Sequence, residues 1–162
     1  TFGCCMRKRS KYRPKPVLVN PLGYVLEGLE PARSHGSHIL DLKIKNHGAM
    51  ANLTRGIATR QDIDLLIGMV NIVEALYRLG FGSDYGDVVT DGLNALHSVG
   101  QRGASTNKFI LRSEEMKALN IIMELHDAQM DVITIKDMER GLKLVDEEFR
   151  QRKMRPIVEK KK

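Results

Sequence analysis

A dense run of cations near the start of the chain is the feature of the sequence best suited to binding chemistry. Six basic residues and one aromatic residue fall within nine positions: Arg7, Lys8, Arg9, Lys11, Tyr12, Arg13 and Lys15. Arginine and lysine at this density neutralise phosphates, and a tyrosine among them can stack on a base. The pattern predicts contact with nucleic acid, either DNA or RNA. The alternative interpretation is a solvated tail or a tail that binds a protein partner.

The far end of the chain repeats this pattern. Residues 1–16 carry a net charge of +6, and so do residues 150–162, which include Arg152, Lys153 and Arg155. Between these two arms, residues 17–149 contain 13 basic and 19 acidic residues, a net charge of −6. The overall charge of +6 therefore conceals a mildly acidic body with a basic arm at each end.

Three histidines in the first third of the chain have a spacing that suggests a metal site. His35 and His38 lie three residues apart with Asp41 nearby, and His47 could supply a further ligand. A zinc site needs three or four converging ligands, each held by hydrogen bonds to its neighbours. Two imidazoles on a polar stretch more often belong to an ordinary loop, so we expect no metal ion here.

Two further patterns resemble sites but favour a structural interpretation. Asp84, Asp87 and Asp91 share one face of a predicted helix and could hold a divalent cation, but acids at a helix start commonly complement its dipole. Residues 100–108, GQRGASTNK, lack the residue order of a phosphate-binding loop and are interpreted as a solvated loop between helices.

The residue sets that assemble an active site are missing from the body of the chain. Residues 17–149 contain no cysteine, no G-x-S-x-G and no H-E-x-x-H. His97 and His126 lie beside apolar residues, which is typical of histidines that pack at the edge of a core. Cys4 and Cys5 are adjacent, so they rarely pair with each other, and they precede Met6, which has the position of a native start. The residues TFGCC are therefore interpreted as a remnant of cloning or expression. We expect neither catalysis nor a cofactor.

The element that must organise the rest is a helix predicted over residues 59–80. Thr59 is a candidate N-cap with Asp62 three residues later, Arg78 complements the dipole at the other end, and Gly80 suits the position after the C-cap. The apolar residues between them exceed the stripe of a surface helix and cover most of its circumference. This helix should therefore be the most enclosed element of the fold.

The remaining helices are predicted from caps and periodicity. Asn20 and Pro21 should open a short helix with one apolar face, followed by a loop over residues 32–37. Residues 39–55 favour a helix over a strand because the chain offers a strand no partner. A cap at Ser83 or Asp84 should begin the next helix. Two more should begin at Ser113 and after Thr134.

The last two helices permit two interpretations. The segment ALNIIMELHDAQMDVITIKDMERGL has the spacing of a helix-turn-helix, but acids are mixed among the bases where a recognition helix needs cations and amides, so an antiparallel helical hairpin is favoured. The apolar positions of the last helix repeat as a two-heptad seam, which we expect to pack mostly within the monomer: Ile135, Met138, Leu142, Val145 and Phe149. A homodimer through this seam is the alternative.

Three segments carry a resemblance to known proteins: KYRPKPVLVNPLGYVLEG, LKIKNHGAM and ELHDAQMDVIT. Together they resemble small uncharacterised proteins of bacteriophages and prophages. The resemblance rests on overall character rather than on a motif, so it assigns no functional residue. It implies an accessory role in a bacterial or phage cytoplasm.

These observations predict a single all-α domain of five or six helices over residues 17–149, with basic arms over 1–16 and 150–162. No apolar run approaches the ~18–20 residues that cross a bilayer, so we expect a cytoplasmic protein of the bacterial host cell that binds no membrane. The leading hypothesis is a non-enzymatic accessory protein that contacts nucleic acid without sequence specificity through its arms. The alternative is an interaction protein whose acidic helical body binds and modulates a host protein.

Overall fold

A computed structural model describes residues 21–151, which form a single all-α domain as predicted. Six α-helices follow one another without a strand among the described residues. They are α1 Pro21–Gly28, α2 Gly36–Thr54, α3 Arg60–Arg78, α4 Gly86–Thr106, α5 Ser113–Val132 and α6 Ile135–Arg150. Short 3₁₀ turns at Ala32–His35 and Ser83–Tyr85 lead into α2 and α4. No helix in this part of the chain has both the length and the apolar character needed to cross a membrane.

Helix α3 lies at the centre, packed against α2, α4, α5 and α6. Its predicted N-cap is confirmed, because the Thr59 hydroxyl accepts a hydrogen bond from the Asp62 backbone N–H and the Asp62 carboxylate accepts one from the Thr59 N–H at 2.7 Å. Gly80 follows the C-cap with a left-handed φ of 98°. The helix buries Leu66, Val73 and Leu76 completely (0% exposed), so the prediction of an enclosed central helix is correct.

The segment before α3 is more helical than the sequence suggested. The helix predicted over 39–55 is confirmed, but it begins at Gly36, so the loop predicted over 32–37 is wrong. Ala32 is buried in a small cluster with Leu76, Met130 and Ile133, and this contact holds the 3₁₀ turn against the body. A buried turn of that kind cannot be recognised from local composition.

The loop predicted over residues 100–108 is also wrong, because α4 continues to Thr106. The Phe109 ring packs on the helix at Gly103, where an added methyl group would lie 2.0 Å from a ring carbon. Glycine at this position therefore marks a close contact rather than a break in the helix. Ser83 and Asp84 lie in the 3₁₀ turn and give α4 no side-chain cap, contrary to prediction.

Helices α5 and α6 do not form the predicted antiparallel hairpin. Helix α5 packs on α4 and α3, whereas α6 packs on α3 and, more lightly, on α1. The Thr134 N-cap of α6 is confirmed, and its extended backbone (ψ 167°) turns the chain away from the axis of α5. The antiparallel bridge between Pro31 and Thr134 holds that corner.

The predicted seam on α6 is used in part. Ile135, Met138 and Val145 are half-buried, but Leu142 and Phe149 are 52% and 71% exposed. The side of α6 that faces α3 is centred on Gly141, where an added methyl group would lie 3.3 Å from the Leu76 side chain. This close approach rotates the outer part of the seam toward solvent.

Candidate functional site

The residues predicted to contact nucleic acid lie outside the part of the chain that the structure describes. These are Arg7, Lys8, Arg9, Lys11, Tyr12, Arg13, Lys15, Arg152, Lys153 and Arg155. The two arms therefore remain predictions from the sequence.

The other sequence patterns do not converge into metal sites. Within residues 21–151, no group of three or more histidine, cysteine or acidic side chains is arranged to hold a metal ion. His35 ends the 3₁₀ turn, whereas His38 and His47 lie about two and a half turns apart on α2. His47 contacts a carboxylate of α5 instead.

The structure reveals a polar cluster between α2 and α5 that sequence analysis did not predict. His47 Nε2 donates to Asp127 Oδ2 at 2.8 Å, and His126 Nδ1 lies 3.3 Å from Asp127 Oδ1. Lys43 Nζ donates to Asp131 Oδ1 at 2.9 Å and to the Asp127 carbonyl oxygen at 3.3 Å. The cluster joins two helices that are distant in sequence.

The pKa values of the two central groups of this cluster are both lowered, that of His126 by burial and that of Asp127 by hydrogen bonds. Burial lowers the pKa of His126 below its ordinary value of 6.5, and the charges of Lys43 and His47 act in the same direction, against the opposing effect of Asp127. Burial acts to raise the pKa of Asp127. The hydrogen bonds from His47 and His126 outweigh it, so this pKa falls below 3.8. At neutral pH, a neutral His126 therefore lies beside an ionised Asp127.

The geometry of His126 argues against catalysis by this cluster. Its side chain is 1% exposed, and its Nε2 is buried without a hydrogen-bond partner in the described structure. Because a carboxylate can only accept, the proton of the neutral ring sits on Nδ1, and the Nε2 lone pair faces the interior. A general base must reach its substrate, which this nitrogen does not. We interpret the cluster as a tie between α2 and α5.

The cations of the helical body are extensively paired with its own acids. Arg78 bridges Glu74 on its own helix and Glu148 on α6, and Arg102 holds Glu115 on α5 at 2.5 Å. Shorter-range pairs follow on the last two helices: Lys117–Glu114, Arg140–Asp137 and Lys143–Glu147. Arg150, the first residue of the C-terminal arm, pairs with Asp146. Much of the positive charge of the body is therefore offset locally.

One helix presents an apolar face to solvent. The apolar side chains predicted to share this face are 52–69% exposed: Leu22, Val25 and Leu26 on α1, and Leu29 just after the helix end. The chain after α1 is attached to the body by two backbone hydrogen bonds, Ala32 N–H to the Ile133 oxygen and Ile135 N–H to the Glu30 oxygen. This face points away from the core.

Comparison of the chain with protein-family models, with curated proteins and with solved structures finds no match in any of the three.

Proposed function

We propose that the protein is a non-enzymatic accessory protein of phage type that contacts nucleic acid through its two basic arms. The observation that carries this proposal is the separation of charge. The arms hold +6 each, whereas residues 17–149 hold −6. A polyanion is attracted to the arms and repelled by the average charge of the body.

The ion pairs of the body support the proposal that the arms bind phosphates whereas the cations of the body stabilise the fold. Arg78 and Arg102 each hold a carboxylate of a neighbouring helix, so their charges stabilise the domain and are offset where they lie. Phosphate binding releases the counterions condensed on nucleic acid, and this favours cations that are free of protein acids. Residues 7–15 contain six cations and no acid.

The expected mode of binding follows from the residue types. Arginine and lysine side chains bind phosphates along a strand, and Tyr12 offers a ring on which a base can stack. Contacts of this kind position a protein without reading base edges. The protein should therefore bind DNA or RNA with little sequence preference.

The test is to replace the six cations between positions 7 and 15 by glutamine in the full chain. Binding of a labelled oligonucleotide is then followed by fluorescence anisotropy at low salt. The matched control replaces Lys117, Arg140 and Lys143 of the body. We expect the arm variant to lose most of its affinity and the control to keep it. A wild-type chain that fails to bind at about 50 mM salt would reject the proposal.

The alternative function is binding of a host protein through the helical body, and the apolar face of α1 favours it. Leu22, Val25 and Leu26 lie at positions i, i+3 and i+4 of α1, and Leu29 follows the end of the helix. Apolar anchors at this spacing are the pattern with which a helix enters the groove of a partner.

Pull-down from a nuclease-treated bacterial lysate, with Leu26→Glu against Ile121→Glu of α5 as control, tests this function. Light scattering on the wild type and on Leu142→Glu tests the homodimer through the α6 seam, because Leu142 is 52% exposed. Capture that survives nuclease and is lost with Leu26→Glu alone would favour the alternative.

A further inference from the structure

A cleft on the body, far in sequence from both arms, has the composition of an anion site. It lies between the end of α2 and the start of α5 and has a volume of about 240 Å³. Its charged lining residues are Arg55 and Arg112, with no carboxylate among the lining, and the hydroxyl residues Thr54 and Ser113 stand beside them. Ile110, Leu111 and Met116 supply an apolar wall. In a body of net negative charge, this local composition selects anions.

Two acids at the start of α5, Glu114 and Glu115, form ion pairs with cations that do not line the cleft. Glu115 receives hydrogen bonds from Arg102 at 2.7 and 2.5 Å and from the Arg112 backbone N–H. Burial acts to raise the pKa of Glu115, but the hydrogen bonds from Arg102 and from the Arg112 backbone, together with the charges of both arginines, outweigh it and lower the pKa below 4.5. Glu114 pairs with Lys117 at 3.0 Å. The guanidinium groups of Arg55 and Arg112 are exposed at the surface.

The wall that contains Arg112 is fixed before any ligand arrives. Arg102 donates to the Ile110 carbonyl oxygen at 2.9 Å while it holds Glu115, so the segment between α4 and α5 is fastened to both helices. Phe109 anchors the same segment, because it is buried (8% exposed) against Gly103. Preformed sites lose less entropy on binding than mobile loops do.

The wall that contains Arg55 is equally constrained. Gly56 adopts a left-handed φ of 71° immediately after Arg55 and turns the chain at the end of α2. The Ile57 N–H donates to the Asn52 oxygen at 3.0 Å, and the Asn52 side chain donates to Asp62 of α3 at 3.0 Å. The turn is therefore tied to the cap of the central helix.

We infer that this cleft binds one nucleotide unit of a single-stranded nucleic acid, with the phosphate on Arg55 and Arg112 and the base against Ile110, Leu111 and Met116. The inference rests on the proposed function and gives it a second contact on the body. A guanidinium group can donate two parallel hydrogen bonds to a phosphate, and an unpaired base can pack against apolar side chains. At about 240 Å³ the cleft is smaller than sites that enclose a free small molecule. It suits one unit of a longer strand that crosses the surface, and a base paired in a duplex cannot enter it.

The experiment compares full-length Arg55→Gln, Arg112→Gln and the double variant with Arg60→Gln, an exposed arginine of α3 that does not line the cleft. Anisotropy is measured with a labelled oligothymidylate, an oligouridylate and a duplex. We expect the double variant to bind single strands about ten-fold more weakly than Arg60→Gln does, with a salt slope smaller by about one to two. Duplex affinity should change by less than about two-fold. Equal losses for single strands and duplex, or no loss beyond that of Arg60→Gln, would overturn the inference.

A second measurement separates this inference from the proposed function. A short oligouridylate is titrated into the wild-type chain and the double variant while the methyl resonances of Ile110, Leu111 and Met116 are followed by NMR. Shifts in the wild type that vanish in the double variant support the cleft even if the arms prove to bind no nucleic acid. Resonances that stay unmoved in the wild type refute the cleft even if the arms bind.

Discussion

His47 on α2 and Asp127 on α5 form a hydrogen bond of 2.8 Å across 80 residues of sequence. Beside this contact, the buried His126 ring shares the same carboxylate. Protonation of His126 would place a second N–H in the interior, where its Nε2 has no acceptor within the described structure.

The cluster predicts a loss of stability on mild acidification. The folded-state pKa of His126 lies below 6.5, so its contribution is complete above the unfolded value and is lost as pH falls below 6.5 toward the folded value. Asp127, whose pKa is lowered from 3.8, adds a second loss at lower pH. Urea midpoints of wild type, His126→Gln and the exposed control His38→Gln, measured on both sides of pH 6.5, check this. His126→Gln should flatten the pH dependence, and a profile that matches wild type would contradict the assignment.

Shortening a buried side chain of the central helix should lower the free energy of unfolding substantially. Val73→Ala should lower the free energy of unfolding by about 1–3 kcal/mol, because Val73 is 0% exposed and the methyl groups it loses leave a cavity. Ile121→Ala on α5, where the side chain is 49% exposed, should cost less than about 1 kcal/mol. Chemical denaturation measures both. Amide exchange in α3 as fast as at the ends of the domain would show that α3 is not its centre.

Two glycines in helices predict opposite responses to the same substitution. Gly103→Ala should destabilise the fold by about 1–3 kcal/mol, because the added methyl group meets the Phe109 ring. Gly48→Ala in α2 should stabilise it by about 0.5–1 kcal/mol, because the space there is open and alanine favours helix. Combining Gly103→Ala with Phe109→Leu should recover part of the loss. If the two substitutions lower the free energy of unfolding additively, the Phe109 ring is not the group that the added methyl group meets.

Contact of the arms with phosphates predicts a steep dependence on salt. With six cations between positions 7 and 15 and others in the second arm, the plot of log affinity against log salt should have a slope of about −3 to −6. Replacing the cations of one arm by glutamine should reduce this slope by roughly half. Oligonucleotides of different sequence should give the same slope. An affinity that is independent of salt would exclude phosphate contact as the main interaction.

The parts of the fold that could be predicted are those governed by local chemistry. Thr59 with Asp62 and Thr134 with Asp137 mark helix starts, because the cap and its partner lie within one turn. The long run of apolar residues in α3 likewise predicted its burial. In these cases all the interacting groups lie close together in the sequence.

Features that depend on distant residues could not be predicted. Gly103 could end a helix or could make room for a packed side chain. The Phe109 ring packs against it, and the sequence of the glycine-rich stretch does not predict this contact. The periodicity of α6 identified its apolar positions, but the close approach at Gly141 decided which of them face α3. The α2–α5 cluster and the arginine cleft each combine residues from different helices, so no local spacing identifies them.

The backbone hydrogen bonds at Ala32 and Ile135 have a mechanical consequence. Among the described residues, α1 packs lightly on α6, and these two bonds follow it directly in the chain. A force that pulls on the chain ahead of α1 would therefore first detach α1 from α6. It would then act on the two hydrogen bonds at the junction between α5 and α6. Ile133 at that junction is fully buried beside Leu76 of the central helix. A force applied through the N-terminal arm would therefore be opposed by the packing of the hydrophobic core.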